Sequence, residues 1–343
     1  ESLLRKSVVS LRASVSERYK SSTPVVGFIG AGNYASRTLI PAFKEAGARL
    51  DTLVTSGGIS GVYHGNKLGF KTTATNSEIL LGNSDINTVV IVTRHNDHAS
   101  QVLSAVEAGK HVFVEKPTAL TLEEMDAIDG AFQKANEKRD EPLRLMVGFN
   151  RRFAPHVAKM KSLLEIMLEP KAIIITVNAG AIPTAHWTQD PGIGGGRILG
   201  EGCHFIDLMR FLVGHAITGH HSMMMGDAPG VEVRDDKVSI NLSFTDGSFG
   251  TIHYLANGGK AFPKEQIEVF CGDAVLQMNN YRVLQGYGWK GFKKMKLFKQ
   301  DKGQFACAKA FVNAVREGKP SPIPYEEVME VSRVSIEVAE SLR

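Results

Sequence analysis

Three short stretches of the chain hold residue types whose spacing suits chemistry. The first is Gly30-Ala31-Gly32-Asn33-Tyr34-Ala35, which follows an apolar run and opens a helical pattern at Ala35, Leu39 and Phe43. A first glycine permits a tight turn, and a second lets backbone N–H groups approach a pyrophosphate. A small sixth residue allows close helix–strand packing, and the helix start favours the negative charge. Gly30, Gly32, Asn33 and Tyr34 are therefore candidates for cradling a dinucleotide. The second stretch is Glu115-Lys116-Pro117, again at the end of an apolar run. Open α/β sheets bind ligands beyond the carboxyl ends of their strands. Pro117 biases Lys116 toward an extended backbone, so its ammonium can reach a crevice and exchange a proton with a substrate hydroxyl. The third runs from Gly194-Gly195-Gly196-Arg197 through Glu201 to His204 and Asp207. Its glycines allow backbone to come close to a ligand, and its HxxD spacing puts His204 and Asp207 on one helix face. His204 suits a proton relay, with Asp207 holding the ring. Each stretch has a plainer alternative: a bare glycine turn, a surface lysine, and a histidine satisfied by a carbonyl.

The elements that must position these residues are legible as pattern. Val25–Ile29, Thr88–Val92 and His111–Val114 are near-continuous apolar runs, as expected of strands covered on both faces. A helix is expected between the last two, capped at Asn96 or Asp97 and closed by Gly109. Thr121 and Glu124 form a capping-box pattern ahead of Leu122, Met125, Ile128 and Phe132, and 143–147 alternates like a strand. Pro41 should kink the first helix. Repeated strand–helix–strand units predict a parallel, doubly wound sheet over 24–148. Beyond Gly148 the grammar changes to an antiparallel meander: Ala172–Val177, strict alternation over 238–244, a two-residue Asp-Gly hairpin at 245–248, and a tight turn at Cys271-Gly272-Asp273. The fold class expected is α/β, a Rossmann domain over 24–148 followed by a substrate-binding α/β domain over 149–343. That second domain has a large, mainly antiparallel open sheet and a closing helix at 328–342 that packs back. Residues 1–23 are expected to be a helix-like connector of a processed or excised fragment, most simply a bare fragment boundary, with a preceding domain as the alternative.

Composition narrows the class. The 343 residues suggest two domains at about 150 residues each. A net charge of +4 is too thin for a nucleic-acid binder, and no apolar run reaches the ~18 residues of a membrane span. Three widely spaced cysteines make no disulfide framework, which fits a reducing, cytoplasmic setting. The histidines lack any zinc spacing, so no metal is expected. The adenosine ribose should be met at Thr55 or Ser56, where neither a carboxylate nor an arginine stands, leaving NAD and NADP both open. The lysines of 290–302 predict a strand with one solvated basic face; as a binding feature they would suit the diphosphate of a nucleotide sugar.

Together the clusters resemble the glucose–fructose oxidoreductase / inositol dehydrogenase / rhizopine catabolism family. The likeness rests on the fingerprint at Gly30, on Thr93-Arg94-His95-Asn96-Asp97-His98, on the string from Ala108 to Pro117, on Gly148–Phe153, and on the GGGR-to-HxxD segment. It implies an NAD(P)-dependent oxidoreductase acting on a sugar, cyclitol or nucleotide sugar, with Lys116 matching the EKP lysine and His204 the general acid/base histidine. Thr93, His95 and Asn96 are assigned to the nicotinamide end, with His98 and Glu115 also counted as cofactor contacts. Arg152, Trp187 and Asp190 are assigned to substrate. The family's Asp four residues before the histidine is here Gly200, and Glu201 is the nearest carboxylate to replace it. A non-catalytic sensor or a cofactor-dependent non-redox sugar enzyme stands as the alternative. The resemblance further implies a homo-oligomer formed through the open sheet. It also implies a fused alcohol-dehydrogenase-like domain ahead of Glu1, and a place in capsule or surface-polysaccharide synthesis.

Overall fold

Burial on both faces decides where the first strands form. In a computed structural model that describes residues 7–12, 23–137 and 139–343, Val25–Ile29 (β2), Thr88–Ile91 (β5), His111–Val114 (β6) and Leu145–Val147 (β7) are buried almost throughout. With Val8–Ser10 (β1), Arg49–Val54 (β3) and Thr72–Ala74 (β4) they form one sheet of order β1-β4-β3-β2-β5-β6-β7, parallel except where β1 runs antiparallel to β4. The described part of the amino-terminal segment is thus an edge strand where a helix-like connector was expected; the rest of that expectation lies outside the described residues. Strand order reverses between β2 and β5, the place where such sheets leave a crevice.

The chain enters its first helix through a π-turn, Ala35–Leu39, which hands over to Ile40–Glu45 (α1) with Pro41 in the opening turn. Pro41 has no N–H to donate, and the regular bonding pattern gives way to the wider turn just before it. Gly58–Leu68 (α2), Ser77–Leu81 (α3), His98–Glu107 (α4) and Leu122–Asn136 (α5) complete the layers. The expected cap forms, the Thr121 hydroxyl accepting from Glu124 N (3.2 Å), while Glu124 Oε2 reaches one residue past the N-cap to accept from Leu120 N (2.8 Å). The core is an aromatic chain in which Phe28, Phe43 and Phe113 meet edge to face at 5.2–5.4 Å.

The second unit covers Phe149–Gly303 and Met329–Arg343, while Gln304–Val328 returns to the first unit. With Pro155–Leu164 (α6) and Cys203–Val213 (α7) the second unit holds an eight-stranded sheet of Ala172–Asn178 (β8), which precedes α7, and Ile217–Met224 (β9), Lys237–Phe244 (β10), Phe249–Leu255 (β11), Glu265–Cys271 (β12), Ala274–Asn279 (β13), Val283–Tyr287 (β14) and Lys294–Lys296 (β15). Its order is β15-β14-β13-β12-β8-β11-β10-β9. It departs from a pure meander, because β8 lies between β11 and β12 and runs parallel to β11. The 245–248 turn also differs from expectation. Gly247 N donates to Phe244 O and Phe244 N to Ser248 O (both 3.0 Å), a three-residue loop with a bulge at Gly247. The expected tight turn at 271–273 forms with Gly272 and Asp273 both at positive φ. The helix Gln304–Glu317 (α8) sets Phe311 against Phe113 at 5.5 Å in the first unit. Tyr325–Ser341 (α9) closes the chain.

Candidate active site

In the first unit the site is built at the strand-order reversal. Gly30 has φ +107°, and its amide donates to the Val54 carbonyl (2.9 Å). An ideal Cβ on it would stand 2.5 Å from the Val92 oxygen, so only glycine lets the ends of β2, β3 and β5 converge. Gly32 is exposed, with no atom of the described residues within 4 Å of an added Cβ. That opening faces a helix start with no side-chain cap, whose N–H groups suit an anion. The turn, the open glycine and the uncapped amides fit a dinucleotide. Asn33 and Tyr34 lie on the same exposed turn. At the ribose position the Thr55 hydroxyl donates to Gly57 O (2.9 Å), and Ser56 is exposed.

The loops after β5 and β6 hold the next group. Thr93 Oγ1 donates to Gln101 Oε1 (2.9 Å), and Asn96 is exposed. His95 and His98 are buried with ring centroids 5.7 Å apart. Lys116 is half-buried, and the Lys116–Pro117 peptide is cis. The buried Glu115 carboxylate occupies the space that a side chain on Gly148 would need, 2.5 Å from Oε1. His98 departs from its expected role as a cofactor contact. It is fully buried, and its Nδ1 donates to the Pro117 carbonyl at 2.7 Å.

In the second unit a π-turn, Ile198–Gly202, precedes α7 and sets His204 one residue inside it. His204 is buried, 6.1 Å from the Phe149 ring. Arg152 donates through Nε to both oxygens of Asp207 (2.8 and 2.9 Å), both groups being buried, with the guanidinium 5.2 Å from the Phe211 ring. The substrate contact expected at Arg152 is thus replaced by an internal ion pair, and Asp207 is engaged from that side. The glycine run likewise serves the chain itself. An added Cβ on Gly194 would fall 2.3 Å from Thr188 Cα, and the Gly194 and Gly195 amides donate to Asp190 O (2.8 and 3.0 Å). Asp190 Oδ1 accepts from Gly192 N and Ile193 N (2.8 and 3.1 Å), so its exposed carboxylate organises this turn. Trp187 is half-buried at the start of the 187–189 turn.

Glu201 is the most constrained carboxylate. Its oxygens accept from Arg197 (2.9 Å), the Tyr254 hydroxyl (2.7 Å) and Lys264 (2.9 Å). Burial opposes the charge, but Lys264 and the other donors outweigh it and hold the carboxyl well below the usual range. A group so held stays ionised at neutral pH, so Glu201, the nearest carboxylate to the missing Asp, stands as a fixed charge committed to three donors. Beside it, Arg151 spans two carboxylates, bonded to Glu265 (2.9 and 3.0 Å) and 4.0 Å from Glu201, while Lys302 caps Glu265 at 2.6 Å.

A family model described as "Oxidoreductase family, NAD-binding Rossmann fold" matches residues 25–140, and one described as "GFO/IDH/MocA C-terminal domain" matches 169–277. The chain belongs to the GFO/IDH/MocA oxidoreductase family. Among relatives, it is 29% identical over 237 residues to a 1,5-anhydro-D-fructose reductase of Ensifer adhaerens, covering 66% of this chain and 68% of that one. It is 24% identical over 273 residues to a myo-inositol 2-dehydrogenase of Thermotoga maritima, covering 76% and 79%. Its fold is shared with an oxidoreductase domain protein from Kribbella flavida (TM-score 0.80, 23% identity, 94% of this chain and 98% of that). A levoglucosan dehydrogenase solved with NADH and levoglucosan shares it as well (TM-score 0.79, 21% identity, 94% and 98%).

For this member of the family, several structural partners had no place in the sequence reading. Tyr254 and Glu265 sit on the buried phase of alternating strands, Tyr254 in step with Ile252 and Glu265 with Ile267 and Val269. A carboxylate in that phase signals a buried cation, which is the one clue that could have found Arg151. For the His98–Pro117 bond no comparable signal exists.

Proposed function

We propose that this chain is an NAD(H)-dependent oxidoreductase that interconverts a secondary alcohol and a ketone on a sugar or cyclitol, with Lys116 and His204 handling the hydroxyl proton. What carries the reading is the Gly30 turn at the sheet's strand-order reversal, with the EKP lysine on the next loop but one. Gly30, Gly32, Asn33 and Tyr34 would hold the diphosphate, Thr55 and Ser56 the adenosine ribose, and Thr93, Asn96 and Glu115 the nicotinamide end. When bound, the cofactor supplies a hydride acceptor or donor. The Lys116 amine takes the hydroxyl proton in oxidation and its ammonium returns one in reduction, and the His204 imidazole serves as the second proton-handling group. Glu201 supplies a fixed negative charge that anchors Lys264, Tyr254 and Arg197. The matched relatives are named for free sugars and inositols, so these come first. A nucleotide sugar of surface-polysaccharide synthesis is the narrower reading that the sequence resemblance suggests. NADP is accommodated as well as NAD, since nothing at 55–58 repels a 2′-phosphate. Association of two copies through the open sheet, and a cytoplasmic location, belong to the same reading; among the described residues no helix is long and apolar enough to cross a membrane.

The test is nicotinamide absorbance at 340 nm with NAD and NADP against myo-inositol, levoglucosan, 1,5-anhydro-D-fructose and UDP-sugars. Lys116→Ala should lower kcat/KM by about 10²–10⁴-fold on whichever substrate turns over. A second reading, a cofactor-binding sensor without turnover, is favoured by Gly200 at the family's Asp position and by the commitment of Glu201 to three donors. NAD binding with no turnover on any of these substrates would select it.

A further inference from the structure

His98 is fully buried, yet neither the sugar nor the cofactor chemistry accounts for it. It opens α4, directly after the loop that leaves β5. Its Nδ1 lies 2.7 Å from the Pro117 carbonyl on the loop that leaves β6, 19 residues on. A carbonyl can only accept, so Nδ1 carries the proton and the ring has a fixed tautomer. Burial and the Lys116 ammonium keep the ring neutral, against the carbonyls of Pro117 and Thr93, which favour its charge; the balance brings its pKa to about 4. A neutral ring suits the place, because an imidazolium there would repel the Lys116 ammonium across a poorly screened interior. A buried hydrogen bond to a loop carbonyl also restricts the backbone on either side of it.

We propose that His98 is a positioning residue for Lys116: its neutral imidazole donates from Nδ1 to the Pro117 carbonyl and so fixes the backbone from which the Lys116 side chain departs. The inference rests on the reading of Lys116 as the proton-handling group, but it concerns geometry within the first unit alone. It makes His98 a strut between the loops after β5 and β6. The bond has a donor of defined position, and an asparagine amide can reproduce an Nδ1 donor where an apolar side chain of similar bulk cannot.

The experiment measures the reactivity of the Lys116 amine. Full-length wild type, His98→Leu and His98→Asn are treated with limiting acetic anhydride at pH 8, well below their unfolding temperatures. Acetylation of Lys116 is read by peptide mass spectrometry against the exposed Lys290. His98→Leu should raise normalised Lys116 acetylation by at least about threefold as the loop opens, and His98→Asn should restore most of the wild-type value. A merely structural role would lower thermal stability in both variants without separating them in Lys116 reactivity. Equal Lys116 acetylation in folded His98→Leu and wild type overturns the inference. Should His98→Leu not fold, ¹⁵N NMR of the wild-type ring decides: a neutral Nδ1–H tautomer supports the strut, and an Nε2–H tautomer overturns it. Failure of Lys116 as the proton-handling group would show separately, as full turnover by Lys116→Ala.

Discussion

At Glu201 one carboxylate collects donors from three places in the chain: Arg197 on the turn before α7, Tyr254 on β11 and Lys264 just before β12. Replacing it by glutamine keeps the shape and removes the charge that balances Arg197 and Lys264. Glu201→Gln should therefore cost about 2–3 kcal/mol, read as a lower urea midpoint at unchanged m-value. Because the carboxylate never titrates near neutrality, the midpoints of the pH–rate profile between pH 6 and 9 should be the same in Glu201→Gln as in wild type. A midpoint that vanishes in the variant would make Glu201 a participant after all. At the ribose position the argument is about a missing charge. Thr55→Asp would place a carboxylate where a 2′-phosphate must sit and a 2′-hydroxyl can bond to it, so the ratio of NAD to NADP affinity should rise by about tenfold or more. Titration of each cofactor by fluorescence gives that ratio directly; an unchanged ratio would move the ribose site elsewhere.

Elements that speak through period or local chemistry were legible before the structure, and elements defined by distant partners were not. The apolar runs of β2, β5 and β6 announce two-sided burial, the Thr121–Glu124 pair announces a helix start, and the glycine pattern at Gly30 announces a turn that only glycine can make. No local pattern announces the π-turns before α1 and α7, since a single extra residue per turn leaves the apolar spacing ambiguous. Nor does one announce that β8 pairs with β11 across 77 positions of sequence, or that Arg152 belongs to Asp207. The same division appears in the titrating histidines. His98 on α4 and His111 on β6 both have pKa values lowered to about 4, chiefly by burial. Above pH 6.5 the rings are neutral in both the folded and unfolded chain. Between pH 6.5 and 4 the unfolded chain takes up protons that the folded one refuses, so stability must fall as pH falls through that window. The loss is about 3 kcal/mol for His98 and less for the half-buried His111. Glu265, held at about 2 by Arg151 and Lys302, adds a further decline below pH 4.5. Urea unfolding from pH 8 to pH 4 should show this slope, and His98→Asn should flatten it. A stability that is level over this range would mean that the two rings are solvated.

At the largest scale the question is what becomes of the outward face of the second sheet. The strand register aligns Phe249, Ala172, Phe270, Val275 and Tyr287 in one row across β11, β8, β12, β13 and β14. Three of them are open to solvent, Phe249 at 60%, Tyr287 at 47% and Phe270 at 42%, while the opposite phase of the same strands fills the core. Phe249, Ala172, Phe270 and Val275 also border a cavity of about 370 Å³ with Pro170 and Lys171. An apolar row crossing five strands is unfavourable to leave wet, and the proposed association of two copies through this sheet would cover it with a second copy of the same row about a two-fold axis. Each aromatic side chain taken out of water contributes up to about 2 kcal/mol, and a two-fold interface counts each substitution twice. Phe270→Glu would instead bring two carboxylates into the contact, so the dimer dissociation constant should rise by about 10²-fold or more while each chain stays folded. Sedimentation velocity across micromolar concentrations measures both species. Wild type sedimenting as a monomer throughout would exclude self-association by this face, and a Phe270→Glu protein that still dimerises would place the contact on another surface.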